Sequence, residues 1–523
     1  MSISPSASSP SSAGVLLSPS PSDLSFHTTV EDTPHETSPL LSPSCPAASN
    51  STTHDRTYSC INNHHTHILP HADTAAGETD ALENGHVHGD GGALHHLKAP
   101  SGTWLSSFLS LLNNILGTGM LAMPSAIASL GVAFGALMIG LSAAMAVFGL
   151  TILVRAAHKM GESYRRCSSF STIAQATYPA AAKLFDVAVA VKCFGVSVSY
   201  LFIVGDLMPK VVLGFAPNTP SGAIYLTKQF WITVGVAVIT RPAFFRDLSS
   251  LRYTAAIALT SVLYLVVAVI TLALKPQEGM PPHVAWQDIT WFKVDISLFT
   301  ALPIMVFSFT CHQNILTVYN ELVDNTPRRV SHIVCTAVPI AFTIYQMIGI
   351  TGYITFGANV KSNIIANYPA NSLLVTGGQL AISTLVIVSY PLQLHPARAS
   401  LDRVIGRRED PKSPMPSLRF SVLTLSLLLS AYLLAISVES LSKILALVGA
   451  TGSTAICYIL PGILYHRISL QYDADTWENR LLRQLSLAMS MFGFSLMVFC
   501  VTVQFLPFPL PPSSSTHDML QLS

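Results

Sequence analysis

Charge is what this chain has least of. Asp, Glu, Lys and Arg together make up 11% of its 523 residues, against roughly 25% in a soluble domain. That is too little to coat a water-facing surface of this size, which excludes a soluble globular protein. The few charges nearly cancel, at a formal net charge of +1, and no basic stripe is present to bind nucleic acid. Cysteine is sparse as well. Cys45, Cys60, Cys167, Cys193, Cys311, Cys335, Cys457 and Cys500 have no zinc-type spacing, and none falls in a loop expected outside the cytosol, so no disulfide framework is expected. No nucleophile–base pair, phosphate loop or metal cluster marks an enzyme. No selectivity-filter motif or charged ring marks a channel. The N-terminus lacks the charged start and early apolar core of a signal peptide.

Hydrophobic residues are abundant, at 50% of the chain, and they are clustered. Runs of about 20 residues are each long enough to cross a bilayer core of about 30 Å as a helix. Eleven such spans are predicted, at 104–128, 134–156, 184–208, 228–241, 253–274, 297–320, 333–356, 373–396, 418–437, 441–464 and 485–507, the fourth being the shortest. With the N-terminus in the cytosol, nineteen Lys and Arg residues fall in cytosolic loops and span ends, and five (Lys210, Lys228, Lys275, Lys293 and Lys361) fall on the opposite side. This is the asymmetry that orients membrane proteins. It predicts eleven spans with the C-terminus outside. A transmembrane domain over 101–508 then separates a cytosolic tail, 1–100, from a short non-cytosolic tail, 509–523.

The N-terminal 100 residues are rich in Ser, Pro, Thr and His, including eleven of the 18 histidines. Such a segment cannot bury enough apolar surface to offset its ordering entropy, which predicts disorder. Its histidines read first as part of a solvated polar tail, with metal binding or pH sensing as the alternative. Within it, Glu36-Thr37-Ser38-Pro39-Leu40-Leu41 resembles the acidic dileucine signal by which clathrin adaptors deliver proteins to endosomes, lysosomes or vacuoles. Glu36, Leu40 and Leu41 are the candidate sorting residues.

The first span carries Asn113-Asn114-Ile115-Leu116-Gly117-Thr118-Gly119, with Pro124 soon after. Two glycines around a threonine in mid-membrane weaken helix continuity, and lipid offers the freed backbone groups no partners. A bound solute does. A carboxylate suits the N-terminal dipole of the second half-helix, and cations suit freed carbonyls. Close helix packing through small residues is the competing explanation. The sixth span has a counterpart in Phe307-Ser308-Phe309-Thr310-Cys311-His312-Gln313-Asn314, where a run of polar residues at membrane depth is costly and points to function. Two breaks five spans apart are the pattern of two inverted five-span repeats. Lys192, in the third span, either faces the bundle, paired with Asp186 or a coupling-ion site, or snorkels to the headgroups. Ser383, Thr384 and Ser389 in the eighth span coordinate an ion or bond back to their own helix. His312 is a structural histidine or a carrier of protons.

Three segments, NNILGTGMLAMP at 113–124, KCFGVSVSYLFIVGDLMP at 192–209 and FSFTCHQNILTVYNE at 307–321, resemble the amino acid/auxin permease family. Within it they resemble the fungal vacuolar amino-acid transporters, which are related to animal sodium-coupled neutral amino-acid transporters. The resemblance spans residues 104 to about 507. It implies an all-α membrane fold of eleven transmembrane helices in an inverted five-plus-five repeat, like bacterial leucine transporters, with helices 1 and 6 discontinuous. It also implies that the backbone at Gly117, Thr118 and Gly119 holds the substrate carboxylate, and that carbonyls near Phe309, Thr310 and Cys311 meet its ammonium. Asn113 and Ser389 match positions that hold sodium in the sodium-coupled relatives, with Lys192 and His312 as further ion-coupling candidates. A serine stands at 389 where threonine is common, so sodium and protons both stay open as the coupling ion.

The expected activity is secondary transport of amino acids from the vacuole lumen to the cytosol, without a cofactor, driven by a proton gradient or, alternatively, by sodium. The expected partners are the amino-acid substrate, membrane lipid and a clathrin adaptor at the tail. A plasma-membrane importer and an amino-acid sensor with little transport are the competing readings.

Overall fold

In the computed structural model the described residues are 102–161, 166–220, 222–246, 252–369, 372–406 and 415–505. The expectations for the 1–100 tail, for Glu36, Leu40 and Leu41, and for the 509–523 tail lie outside them. Among the described residues every regular element is a helix. In chain order these are α1 (Trp104–Ile115), α2 (Gly119–Leu130), α3 (Val132–Lys159), α4 (Phe170–Thr177), α5 (Ala182–Phe215), α6 (Lys228–Ala243), α7 (Arg252–Leu274), α8 (Leu298–Ser308), α9 (His312–Glu321), α10 (Pro327–Phe356), α11 (Leu373–Ile405), α12 (Ser417–Ser437), α13 (Leu441–Val448), α14 (Leu460–Tyr472) and α15 (Trp477–Phe505). Two π-helical stretches, Gly449–Ser453 and Ala455–Ile459, join α13 to α14.

Nine helical stretches among these residues are long and apolar enough to cross a membrane, or ten if the bent pair α1–α2 counts as one span. The eleventh stretch expected from the sequence is α6. Its 16 residues rise about 24 Å at about 1.5 Å each, short of a full hydrocarbon core. The contacts of α6 nevertheless join it to both ends of α12. The ammonium of Lys228 at its start donates to the Val438 carbonyl just past α12. At its other end Arg398 donates to the Ala243 carbonyl, and Arg246 donates to Met415, just before α12.

The helix ends sort into two groups. One contains Gly102 against Glu321, Arg166 on the carbonyls of Asn320, Leu322 and Val323, Lys159 paired with Asp473, and Arg403 paired with Asp186. In the same group the Asp475 carboxyl is held below its usual range by hydrogen bonds from Arg480 and Arg483. The other group contains Lys293 N–H on the Leu130 carbonyl, Asn363 on Asp206 and Lys210 on the Ala366 carbonyl. There the backbone of Gly131 takes φ +84° and passes so close to Trp291 that a side chain would stand 2.7 Å from its carbonyl carbon. That tight turn lets α2 fold directly into α3.

Among the long apolar stretches α8–α9 and α13–α14 are the most enclosed, followed by the third span, α5, and α15 is the least. α5 packs chiefly on α11, and α8 packs on α2, α13 and the first π-helical stretch. Against the expectation of no disulfide, Cys167 is disulfide-bonded. Cys193, Cys311, Cys335, Cys457 and Cys500 are free.

Candidate functional site

The first span breaks where its glycines predict. α1 ends at Ile115, α2 starts at Gly119, and the two meet at 50°. The Leu116 amide still reaches back to Leu112, and the Gly117 amide closes onto Ile115 at 2.8 Å. The amides of Thr118 and Gly119 have no backbone acceptor, as expected of the first turn of a helix. Gly119 is there for packing: a Cβ on it would lie 2.1 Å from Ser308 Oγ and 2.9 Å from Ser308 Cα. Gly117 differs, since a Cβ there would meet only the Tyr200 hydroxyl and the Ile115 carbonyl, both at 3.9 Å. The sixth span is interrupted at Phe309, Thr310 and Cys311, between α8 and α9, although its two halves run on as one crossing.

Side chains tie these interruptions together. The Tyr345 hydroxyl on α10 lies 2.6 Å from the Ile115 carbonyl and 2.9 Å from that of Ser308, the last residues of α1 and α8. The Asn314 amide donates to Asn114 Oδ1 at 2.6 Å, linking α9 to α1. Cys457, in the second π-helical stretch, donates to Thr310 Oγ1 at 3.1 Å and sits 3.2 Å from His312 Nδ1. π-Helical turns recur at functional sites. The first of the two stretches approaches α8 so closely that a Cβ on Gly449 would stand 2.0 Å from the Pro303 carbonyl oxygen.

Between the two interruptions, α5 and α11 lies a cavity of about 20 Å³, lined by Asn114, Ile115, Gly117, Thr118, Gly119, Lys192, Val196, Tyr200, Phe307, Ser308, Thr310 and Gln393. That is room for one or two waters, so any larger solute enters only when the walls part. The cavity collects five of the residues expected from the sequence: Gly117, Thr118, Gly119, Thr310 and Lys192. Phe309 is buried against the Tyr345 ring at 5.1 Å. Cys311 and His312 are buried but do not line the cavity, and neither do Asn113 and Ser389. Asn114, the neighbour of Asn113, and Gln393, one turn beyond Ser389, line it instead. Lys192 does not pair with Asp186, because Arg403 holds that carboxylate with bonds of 2.9 and 2.7 Å. Nor does it snorkel: only 2% exposed, it reaches Gln393 Oε1 at 3.5 Å. The Ser383 hydroxyl bonds back to Gln379, the local alternative. The sequence does not single out Tyr200, Gln393 or Tyr345, whereas Ser308 belongs to the polar run of the sixth span. Lys192, Val196 and Tyr200 recur every fourth residue, a one-face spacing that would have found Tyr200.

Residues 100–506 match the family described as "Transmembrane amino acid transporter protein". The chain is 36% identical to vacuolar amino acid transporter 5 of Schizosaccharomyces pombe over 406 residues, covering 76% of this chain and 94% of that protein. It is 35% identical to vacuolar amino acid transporter 5 of Saccharomyces cerevisiae over 442 residues, covering 75% and 96%. It is 27% identical to human sodium-coupled neutral amino acid transporter 7 over 379 residues, covering 69% and 78%.

Proposed function

This chain belongs to the transmembrane amino acid transporter protein family, and from that premise we propose that it is a proton-coupled carrier moving amino acids from the vacuole lumen to the cytosol. The observation that carries this reading is the central cavity, where two unpaired amides at the start of α2 meet polar side chains of a second interrupted span. The Thr118 and Gly119 amides take the substrate carboxylate, and Gly117 supplies the space for its approach. The interrupted backbone at Phe309, Thr310 and Cys311 receives the ammonium. Lys192, His312, Asn113 and Ser389 are the ion-coupling residues of this reading.

Uptake into liposomes carrying the purified protein tests it. Labelled amino acids should accumulate when a pH gradient is imposed, with or without sodium. Flux that requires sodium, or binding without flux for any amino acid, would overturn the coupling or the transport respectively.

The same reading takes α6 as a crossing, which makes eleven spans in an inverted five-plus-five repeat with an added last helix. The contacts of α6 at both ends of α12 support this, as does the gathering of Arg166, Arg403 and Arg480 at one end of the bundle, which becomes the cytosolic end. It also includes vacuolar residence, with the Glu36, Leu40 and Leu41 signal contacting a clathrin adaptor. A chain tagged at both termini checks location and topology together. In sealed vacuoles protease should remove the N-terminal tag and spare the C-terminal one, and Leu40→Ala with Leu41→Ala should redistribute the tagged chain to the cell surface. Equal protection of both tags would refute the eleven-span orientation, and unchanged location would remove the sorting role.

A further inference from the structure

The central cavity holds one basic group and no acidic one. Lys192 lines it, and every other lining residue is uncharged at neutral pH. The titratable groups around the Lys192 amine are Cys193 and Tyr200 of α5, Cys311 and His312 of the interrupted sixth span, and Cys457 of the π-helical stretch. None of them is a carboxylate. Asp186, on the same helix, is already taken by Arg403. The hydrogen bond Lys192 makes is to the side-chain oxygen of Gln393, an adequate partner for a neutral amine. A dry ammonium is costly unless an anion meets it. The second observation is in the same lining, where the amides of Thr118 and Gly119 have no backbone acceptor. The cavity lining thus brings one basic side chain and two N–H donors without backbone acceptors together.

We infer that Lys192 is the counter-ion of the substrate carboxylate, and that this pairing is the proton coupling. The inference rests on the transporter reading above and deepens it. The Lys192 amine takes up one proton as the carboxylate arrives, because the ammonium is stable in the cavity only beside an anion. Ammonium and carboxylate cross as a pair, with the carboxylate also held by the Thr118 and Gly119 amides. When the amino acid leaves, the ammonium loses its partner and releases the proton on the same side. The empty carrier returns with a neutral amine bonded to Gln393. One proton therefore moves with each amino acid, and no carboxylate side chain is needed to carry it.

The first measurement uses the unaltered purified protein. Calorimetric titration with a transported amino acid, in buffers of different ionisation enthalpy, should show about one proton taken up per substrate bound. The amide of the same amino acid, which lacks the carboxylate, should bind at least tenfold more weakly and take up none. Substrate binding without proton uptake overturns the proposal. Lys192→Met should weaken amino-acid binding at least tenfold and abolish the linked uptake, whereas near-normal affinity with proton uptake retained would overturn it. Lys192→Arg separates pairing from release, since a guanidinium does not deprotonate. In liposomes its amino-acid exchange should persist while pH-driven net uptake falls at least tenfold, and retention of net uptake would refute the release step. If binding by the unaltered protein takes up a proton and Lys192→Met loses it, but no amino acid crosses the liposome membrane, the counter-ion assignment stands and the transporter reading fails.

Discussion

Gly117→Val should leave the protein folded and remove its uptake, while Gly119→Ala should do the reverse and damage folding. The two glycines stand two residues apart in one sequence motif, and their surroundings separate them. A Cβ on Gly117 meets nothing closer than 3.9 Å, so the valine side chain extends into the space lined by Tyr200 and Lys192. There it blocks the approach of a carboxylate to the Thr118 and Gly119 amides. A hydrogen bond to a charged group is worth about 1.5–3 kcal/mol. Losing two of them weakens binding by roughly 100-fold or more, at about 1.4 kcal/mol per factor of ten. A Cβ on Gly119 overlaps Ser308, including its Cα, and overpacking of this kind costs about 1–3 kcal/mol. Melting temperature and amino-acid binding of the purified variants provide the two readouts. A well-folded Gly117→Val protein with near-normal affinity would show that the first break is not the substrate site. A Gly119→Ala protein as stable as the parent would show that Ser308 yields, so that the close approach is not structural.

Most of the helices are legible in the sequence because lipid forbids any other use of a long apolar run. The breaks are legible for a related reason: Gly117, Thr118 and Gly119, or Thr310 beside Cys311 and His312, stand out where polarity and flexibility are costly. What is not legible is which way a residue faces. The polar residues of α11 are spread around the helix, so no stripe tells which side meets the cavity and Gln393 stays hidden, whereas on α5 only the four-residue spacing from Lys192 points to Tyr200. Asn113 and Asn114 show the limit most sharply. Adjacent residues on a helix point about 100° apart, and no pattern in the first span says which one turns inward. Asn114 lines the cavity and bonds Asn314, while Asn113 is buried outside the lining. The π-helical turns at 449–459 are hidden for another reason. The change of winding leaves hydropathy untouched, and only the run of small and polar residues from Gly449 to Thr454 hints at it.

Tyr345 is the residue no sequence argument reached, and its hydroxyl has a role that its position in the middle of α10 does not advertise. One O–H is shared between the carbonyls that end α1 and α8, so a single proton holds both interrupted spans to the same rigid helix. Tyr345→Phe keeps the ring and its edge contact with Phe309 but leaves the buried Ser308 carbonyl without its donor and the Ile115 carbonyl with the Gly117 amide alone. An unsatisfied buried group costs about 1–3 kcal/mol, and this cost falls on the closed arrangement, since water can reach the carbonyls once the walls part. A shift of that size raises the opened population by about 5- to 150-fold. Cys311 and Cys457 are sealed at 0% and 1% exposure and flank the second interruption, so they report the opening directly. Labelling by a small thiol reagent, resolved by mass spectrometry, should be at least fivefold faster at these two cysteines in Tyr345→Phe and unchanged at Cys335, which is already exposed. A saturating amino acid should slow it again if the substrate holds both breaks in place of the lost proton. Equal labelling rates in parent and variant would show that the hydroxyl fills a gap in the packing and does not latch the two breaks together.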